Sequence, residues 1–291
     1  MSFEDLNLTE LDRDLSEEQQ KEWNAIYASY RAGSVLTGRI AGMDTTSLKV
    51  KNKDTGKTEI KEINCLVVIS YRVKVLIPEQ DIWLNEKTQR PTHVLRSMTG
   101  AIIDYVITGI DREGECCVAS RRLALGIRKR NFLKLPPKDN KKIQLNILAV
   151  GKVHLLATVG GFDMTLSQRD LSYGMLADLR DKYHPGDTVT AVVKDYDEEN
   201  EKLTVSVKDA EPHPFIGADM RHPVGCRRAS FISGKYKGGV FCKLEENLDC
   251  LCIYSPNQYD IDFEVGDQVI VVVTKYNYTK KQIYGKIVAK W

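Results

Sequence analysis

The side chains of this chain that could do chemistry are aromatic and basic residues that stand close together. Lys235, Tyr236 and Lys237 are consecutive, and Phe241 follows shortly after them. Proteins hold single-stranded nucleic acid by stacking its bases on exposed aromatic rings and by placing Lys and Arg beside its phosphates. The pattern therefore predicts a nucleic-acid interface, although each aromatic residue has an alternative place in a core or strand face. The candidate residues are Tyr71, Arg72, Lys74, Phe162, Arg169, Arg227, Arg228, Lys235, Tyr236, Lys237 and Phe241.

The sequence lacks the residue patterns that are typical of catalytic sites, metal sites and phosphate-binding loops. The seven cysteines follow no zinc-ligand spacing and are predicted to be small buried residues of strands, which favours a reducing cytoplasm. Gly160-Gly161 and Gly238-Gly239 lack the Lys-Ser/Thr of a phosphate-binding loop and are predicted to be bends of a barrel. Four of the five histidines show no nucleophile or acid partner at a recognisable spacing: His154, His184, His213 and His222. We expect no enzyme, no cofactor and no metal site.

Charge is distributed unevenly along the chain. The net charge is +2, but residues 1–30 hold eight acidic and two basic residues, which leaves an excess of +8 on the remainder. Residues 121–142 contain nine basic residues and one acid, Asp139. Such a cluster is typical of a surface that meets a polyanion, and the alternative is a solvated charged face. No apolar run is long enough to span a bilayer and no signal peptide is evident, so we expect a cytoplasmic protein.

A repeated hairpin organises the chain. In residues 186–208, Val189, Ala191 and Val193 alternate with polar residues, a polar turn follows, and Leu203 and Val205 alternate in the same way. Similar hairpins begin at Gly100 and Gly266, 86 residues before and 80 residues after Gly186. This spacing suits a small β-domain, so we predict three tandem β-barrels.

The barrels are predicted to follow an N-terminal helix. Ser16 and Gln19 form a capping-box pattern, and Trp23, Ile26, Tyr27 and Tyr30 form one apolar stripe at helical spacing. The region Cys65 to Ile77 is predicted to be one long β-rich run. The predicted domains are an acidic helical segment (1–32), barrel one (33–122), a basic helical linker (123–140), barrel two (141–210), a Pro-containing linker (211–224) and barrel three (225–291).

Each unit resembles the S1 domain, a family of oligonucleotide-binding barrels. Gly33 to Ile40 is similar to the opening strand of that family, and Val205 to Lys208 is similar to the end of its closing hairpin. Two pairs, Gly161-Phe162 and Val240-Phe241, are both matched to its core strand. Gly186-Asp187 and Gly266-Asp267 are matched to the start of its closing hairpin. The resemblance implies five-stranded barrels that bind RNA.

We therefore predict an all-β protein with three tandem five-stranded OB-fold (S1-type) barrels preceded by an N-terminal α-helix. Its expected function is non-catalytic binding of single-stranded RNA, in translation or mRNA handling, with the ribosome or RNA-processing machinery as a further partner. We expect a monomer without a membrane partner, and residues 121–291 carry most of the expected affinity. Two alternatives remain open, namely a single-stranded DNA-binding accessory of a phage or mobile element and a protein-docking scaffold.

Overall fold

The computed structural model describes most of the chain. It describes residues 16–51, 58–70, 73–84, 89–112, 114–134, 140–174, 176, 178–198, 201–236 and 239–290. Three of the predicted site residues, Tyr71, Arg72 and Lys237, lie outside the described residues.

The N-terminal helix, α1 (Glu17–Ala32), begins at a capping box. The Ser16 hydroxyl accepts a hydrogen bond from the backbone N–H of Gln19, whose side chain accepts one from the backbone N–H of Ser16 at 2.9 Å. These contacts satisfy two N–H groups that a helix start leaves without partners. The helix ends at Gly33, whose left-handed backbone (φ 65°) favours glycine. The predicted capping box is confirmed.

Helix α1 packs on barrel one through an apolar stripe that differs from the predicted one at its end. Trp23, Ile26 and Tyr27 are buried, whereas Tyr30 is 37% exposed. Ser29 faces the barrel instead, because its hydroxyl donates to the backbone oxygen of Ser34 at 2.7 Å and accepts from a backbone N–H of barrel one at 3.0 Å. The contact of the last helical turn is therefore polar.

Barrel one is a closed five-stranded barrel with the strand order β1-β2-β3-β5-β4. The predicted β-rich run from Cys65 to Ile77 contains parts of two antiparallel strands, in which Val68 pairs with Val75. Leu66, Val68 and Val75 point into the core. The strands are β1 (Leu36–Lys51), β2 (Thr58–Ser70), β3 (Val73–Pro78), β4 (Ile102–Asp111) and β5 (Cys116–Ser120), and α2 (Thr92–Arg96) lies between β3 and β4.

Barrel two is a five-stranded sheet with the order β10-β9-β6-β7-β8, and no pairing closes β8 onto β10 among the described residues. Its closing hairpin has the predicted faces, since Ala191, Val193, Leu203 and Val205 are all at most 5% exposed. The strands are β6 (Lys142–Val150), β7 (His154–Val159), β8 (Phe162–Ser167), β9 (Thr188–Asp197) and β10 (Lys202–Ser206). Helix α3 (Arg121–Leu133) precedes this barrel and the short helix α4 (Gln168–Leu171) follows β8.

Barrel three is closed, with the order β11-β12-β13-β15-β14. Its core contains three fully buried cysteines, Cys242, Cys250 and Cys252, as predicted for strand cysteines. The strands are β11 (Arg227–Tyr236), β12 (Gly239–Glu245), β13 (Leu248–Tyr254), β14 (Gln268–Asn277) and β15 (Gln282–Lys290). Helix α5 (Ala218–Arg221) lies in the linker before β11. Together with barrel one and barrel two, this gives three OB-type barrels behind an N-terminal helix.

Barrels one and two are packed against each other through a buried ion pair and an apolar contact. The Arg121 guanidinium donates two hydrogen bonds of 2.7 Å to the Asp163 carboxylate and a third of 3.0 Å to the backbone oxygen of Ile82. Leu148 and Leu156 of barrel two join the hydrophobic cluster of barrel one. A buried charge needs such a partner to offset its loss of hydration, so this contact holds the two barrels in one orientation.

Barrels two and three meet through a polar contact and through the linker between them. The Ser172 hydroxyl donates to the Asn247 side-chain oxygen at 3.0 Å, and Lys182 Nζ lies 2.5 Å from a Glu246 carboxylate oxygen. The backbones approach closely here, since a Cβ added at Gly174 would lie 3.0 Å from Asn247 Cα. A series of ring contacts runs from barrel two through the linker to barrel three: Tyr173, His213, Phe215, Tyr276 and Tyr278.

Candidate nucleic-acid interface

The outer side of barrel three presents one continuous row of aromatic, apolar and basic side chains. Val240 and Cys242 on β12 point into the core, so the alternation of a strand turns Phe241 outward. In the sheet Phe241 is opposite Leu251, Leu251 is opposite Tyr284, and Tyr284 is opposite Lys275. Adjacent strands lie about 4.8 Å apart, so these four side chains span roughly 14 Å across the barrel.

Further side chains of the same alternation extend this row on both sides. Lys243 follows Phe241 on β12, Ile253 follows Leu251 on β13 with 60% exposure, and Lys286 follows Tyr284 on β15. Lys275 Nζ lies 4.8 Å from the centroid of the Tyr284 ring, a cation–π distance. We call this surface the outer face of barrel three, and it consists of Phe241, Lys243, Leu251, Ile253, Lys275, Tyr284 and Lys286.

Tyr236 and Phe241 are brought together at the edge of this face, as a pair of stacked rings. Their centroids are 5.3 Å apart at an interplanar angle of 26°, and Tyr236 is 47% exposed. Phe231, on β11 and opposite Lys243, is 51% exposed. Exposed rings that are already held in place can stack on a base with little loss of side-chain entropy.

Lys235, one of the predicted basic residues of barrel three, is bound by a loop of the same barrel. Lys235 Nζ is held by the backbone oxygens of Asp260 and Phe263 at 2.7 Å and by the Asp260 carboxylate at 3.0 Å. Hydrogen bonds from Tyr254 and Lys235 hold the pKa of Asp260 below its ordinary value. Lys235 therefore anchors the loop before β14, and a phosphate would have to compete with that loop for its charge.

Arg227 and Arg228 lie at the opposite end of β11 from Tyr236. Arg228 Nε donates to His222 Nδ1 at 3.1 Å, and its terminal nitrogen donates to the backbone oxygen of Arg221 at 2.8 Å. Arg227 is exposed and stands opposite Val272, which neighbours Lys286 in the sheet. Arg227 thus borders the outer face of barrel three, while Arg228 belongs to the linker contact.

Phe162 lies in the core of barrel two and is 7% exposed. The rings of Phe132 and Tyr196 pack edge-on against it at 5.8 Å and 6.0 Å, and Lys129 Nζ lies 5.0 Å from its centroid. Phe162 begins the third strand of its barrel, whereas Phe241 lies in the second strand of its own, so the two residues are not equivalent. Because helix α3 covers this ring, we leave Phe162 out of the proposed interface.

The outer side of β7 and β8 in barrel two, which corresponds to the outer face of barrel three, meets barrel one. Leu156 on β7 packs into the cluster of barrel one, and Asp163 on β8 binds Arg121. The adjacent turn is covered as well, because a Cβ added at Gly161 would lie 2.4 Å from the backbone oxygen of Leu125 in α3. This surface of barrel two is used for packing within the chain.

Barrel one shows only one predicted site residue among the described ones, Lys74. Its Nζ lies 2.9 Å from an Asp44 carboxylate oxygen, and this hydrogen bond lowers the pKa of Asp44. The neighbouring outward positions Cys65, Val67 and Leu76 form a buried apolar cluster. Burial raises the pKa of the Cys65 thiol to about 11, so the thiol is uncharged at neutral pH.

Arg169 lies in a cleft of about 600 Å³ between barrels two and three. Barrel two contributes Arg169 and His154 to this cleft, and barrel three contributes Phe241 and Asp249. The structure thus brings two predicted residues from different barrels, Arg169 and Phe241, to one site.

Several residues of this surface were not predicted from the sequence: Lys243, Leu251, Ile253, Lys275, Tyr284 and Lys286. A signal for some of them was present, since Ile283, Gly285 and Ile287 alternate with Tyr284 and Lys286 along β15. Their placement beside Phe241 depends on the parallel pairing of β13 with β15, which joins strands from different parts of the barrel.

The described residues contain neither a metal-ligand cluster nor a helix that could span a membrane. Within them, three or more His, Cys, Asp or Glu side chains do not come together in a way that could hold a metal ion. In the same part of the chain, none of the helices combines the length and apolar character needed to cross a membrane.

Known relatives of this chain carry two different names. A 4-hydroxy-3-methylbut-2-enyl diphosphate reductase of Clostridium tetani is 25% identical over 248 residues, which are 80% of this chain and 38% of that protein. A reductase of the same name from Clostridium acetobutylicum is 28% identical over 213 residues, or 69% of this chain and 32% of that protein. The small ribosomal subunit protein bS1 of Neisseria meningitidis is 22% identical over 285 residues, or 92% of this chain and 46% of that protein.

The relatives named bS1 confirm the resemblance of this chain to bacterial ribosomal protein S1. The chain spans less than half the length of these curated relatives. No protein-family model matches the chain.

Proposed function

We propose that this protein binds single-stranded RNA on the outer face of barrel three, without catalysing a reaction. The observation that carries the proposal is the row of Phe241, Leu251 and Tyr284 with Lys275 beside it. Such a row offers stacking surfaces for bases and cations for phosphates. The resemblance to a ribosomal protein supports a role in translation or mRNA handling. The activity named for the two reductases is not proposed for a chain that spans so little of their length.

Removing the exposed aromatic rings tests this surface directly. We expect Tyr236→Ala and Tyr284→Ala each to weaken binding of a single-stranded RNA oligonucleotide by about fivefold or more, because one stacked base contributes on the order of 1–3 kcal/mol. The measurement is fluorescence anisotropy at low salt, with circular dichroism to show that the barrels remain folded. The matched control is Tyr30→Ala, which removes an exposed tyrosine from α1. Parent-like affinity in both barrel-three variants would rule out this surface.

The same assay separates the other two candidate functions. A matched single-stranded DNA oligonucleotide that displaces RNA at equal concentration would favour the DNA-binding function. Absence of any salt-sensitive binding to either nucleic acid would favour the docking scaffold. Light scattering of the protein with and without RNA measures its mass and tests the proposed monomer.

A further inference from the structure

The cleft between barrels two and three has the composition of a nucleotide-binding site. Its walls combine an aromatic ring (Phe241), a guanidinium (Arg169), an imidazole (His154) and a carboxylate (Asp249), and its volume is about 600 Å³. Pockets for small organic ligands usually measure about 300–1,000 Å³. A cleft of this size accommodates a nucleotide.

The cleft is preformed, because both of its walls are fixed by contacts within the protein. Ser172 and Asn247 are hydrogen-bonded at 3.0 Å, and Lys182 and Glu246 form an ion pair at 2.5 Å. Short helix α4, which carries Arg169, is held by Asp170, whose carboxylate accepts hydrogen bonds from the backbone N–H and the hydroxyl of Ser167 at 2.9 Å and 2.7 Å. A site that needs no rearrangement loses less free energy on binding.

Among the described residues Arg169 has no ion-pair partner, in contrast to several other arginines of the protein. Arg121, Arg122 and Arg180 each lie 2.5–2.7 Å from a carboxylate oxygen. Arg169 is exposed in the cleft. Asp249 of barrel three lines the same cleft, but within the described part of the chain no carboxylate lies within ion-pair distance of Arg169. Its charge is therefore available to an anion from outside the protein.

Phe241 connects the cleft to the outer face of barrel three, because it lines the former and begins the row of the latter. Resting on the function proposed above, we infer that a bound RNA strand continues from that face into the cleft, where a base stacks on Phe241 and the adjoining phosphate is bound by Arg169. The binding site thus spans two barrels, and barrel two contributes through α4 although its own outer side packs on barrel one.

The test compares a short and a long RNA oligonucleotide. A tetranucleotide can be held by the outer face of barrel three, whereas a dodecanucleotide also reaches the cleft. We expect Arg169→Ala to weaken binding of the dodecanucleotide about fivefold or more and to reduce the slope of log K against log salt by about 0.7, the value for one phosphate of a single strand. Binding of the tetranucleotide should change less than twofold, and Arg169→Lys should restore most of the affinity for the dodecanucleotide.

Arg180→Ala is the matched control, because Arg180 is an exposed arginine of barrel two that is paired with Asp178 and does not line the cleft. The control should bind both oligonucleotides like the parent. If Arg169→Ala binds the dodecanucleotide as tightly as the parent, or binds both oligonucleotides equally more weakly, the strand does not continue from the outer face of barrel three into the cleft. A parent protein that binds neither oligonucleotide would instead contradict the proposed function itself.

Discussion

Arg121 and Asp163 join barrels one and two with side chains that are 1% and 6% exposed. Transfer of either ion from water costs several kcal/mol, and only the partner and its hydrogen bonds offset that cost. The Arg121 guanidinium also lies 5.7 Å from the Trp83 ring, while its Nε has no hydrogen-bond partner among the described residues. Loss of one member would leave the other charged and buried.

We therefore expect Arg121→Met to lower the free energy of unfolding by about 3–5 kcal/mol, because Asp163 would remain buried without its counter-charge. Urea denaturation followed by circular dichroism measures this change. The double variant with Asp163→Leu should recover much of the loss, since it leaves no unpaired charge. Equal destabilisation by the single and double variants would contradict this account.

The exposure of Phe162 and of Phe241 could not be predicted from the sequence. Gly161-Phe162 and Val240-Phe241 have the same local pattern, yet only Phe241 is on the surface. The difference arises from helix α3, which starts about forty residues before Phe162 and lies over its turn. Local spacing contains no information about which strand a segment occupies in its barrel or about what packs on it.

At the scale of elements, the linker is ordered by ring contacts as well as by the short helix α5. The His213 ring lies 4.2 Å from Tyr173 of barrel two and 6.4 Å from Phe215, and its Nδ1 accepts a hydrogen bond from the Phe215 backbone N–H at 3.1 Å. Burial of the ring, together with nearby Lys281, lowers the pKa of His213. The folded linker thus favours the neutral imidazole.

Because the pKa of His213 is lowered in the folded protein, the stability of the protein should decrease as the pH falls. The unfolded chain binds this proton at higher pH than the folded protein does, so acidification through the ordinary value of 6.5 favours unfolding. We expect the melting temperature to fall between pH 7.5 and 5.5, and His213→Gln to show a smaller fall over the same range. Differential scanning calorimetry measures both. An unchanged pH dependence in the variant would exclude His213 as its source.

The turn between β7 and β8 depends on a close approach to helix α3. Gly161 has φ +86°, and an added Cβ would lie 2.4 Å and 2.5 Å from backbone atoms of Leu125 and Lys129. Gly266 has φ +100° with nothing within 4 Å, so Gly266→Ala introduces only the backbone strain of about 1–2 kcal/mol.

We expect Gly161→Ala to lower the free energy of unfolding by about 1–3 kcal/mol more than Gly266→Ala, because the helix must move to admit the methyl group. Urea denaturation of the two variants side by side gives this difference. Equal effects would show that backbone strain alone decides the choice of glycine at the turn.

At the scale of the whole molecule, the three barrels share a fold but differ in what their outer sides contact. The repeated hairpins predicted the number and order of the barrels, because apolar and polar residues alternate along the strands of each hairpin. The packing of barrel two on barrel one was not predictable in this way, since it depends on Arg121 and Asp163, which are 42 positions apart. A contact between residues so far apart produces no periodic pattern in the sequence.

At this scale, the positive charge outside residues 1–30 predicts how RNA binding responds to salt. With an excess of +8 outside residues 1–30, we expect log K to fall linearly with log salt, with a slope of about −0.7 for each phosphate contact. Anisotropy titrations between roughly 50 and 300 mM potassium chloride give the slope. An oligonucleotide with an uncharged methylphosphonate backbone is the control and should show almost no slope. A flat response of the charged RNA would exclude phosphate binding.

The ion pair between the first two barrels also constrains how such proteins can evolve. A substitution at Arg121 or at Asp163 is harmful alone but tolerable when both positions change, so descendants of this chain should retain both charges or lose both together. Losing them together would leave the two barrels in contact through apolar residues, beside Leu148 and Leu156.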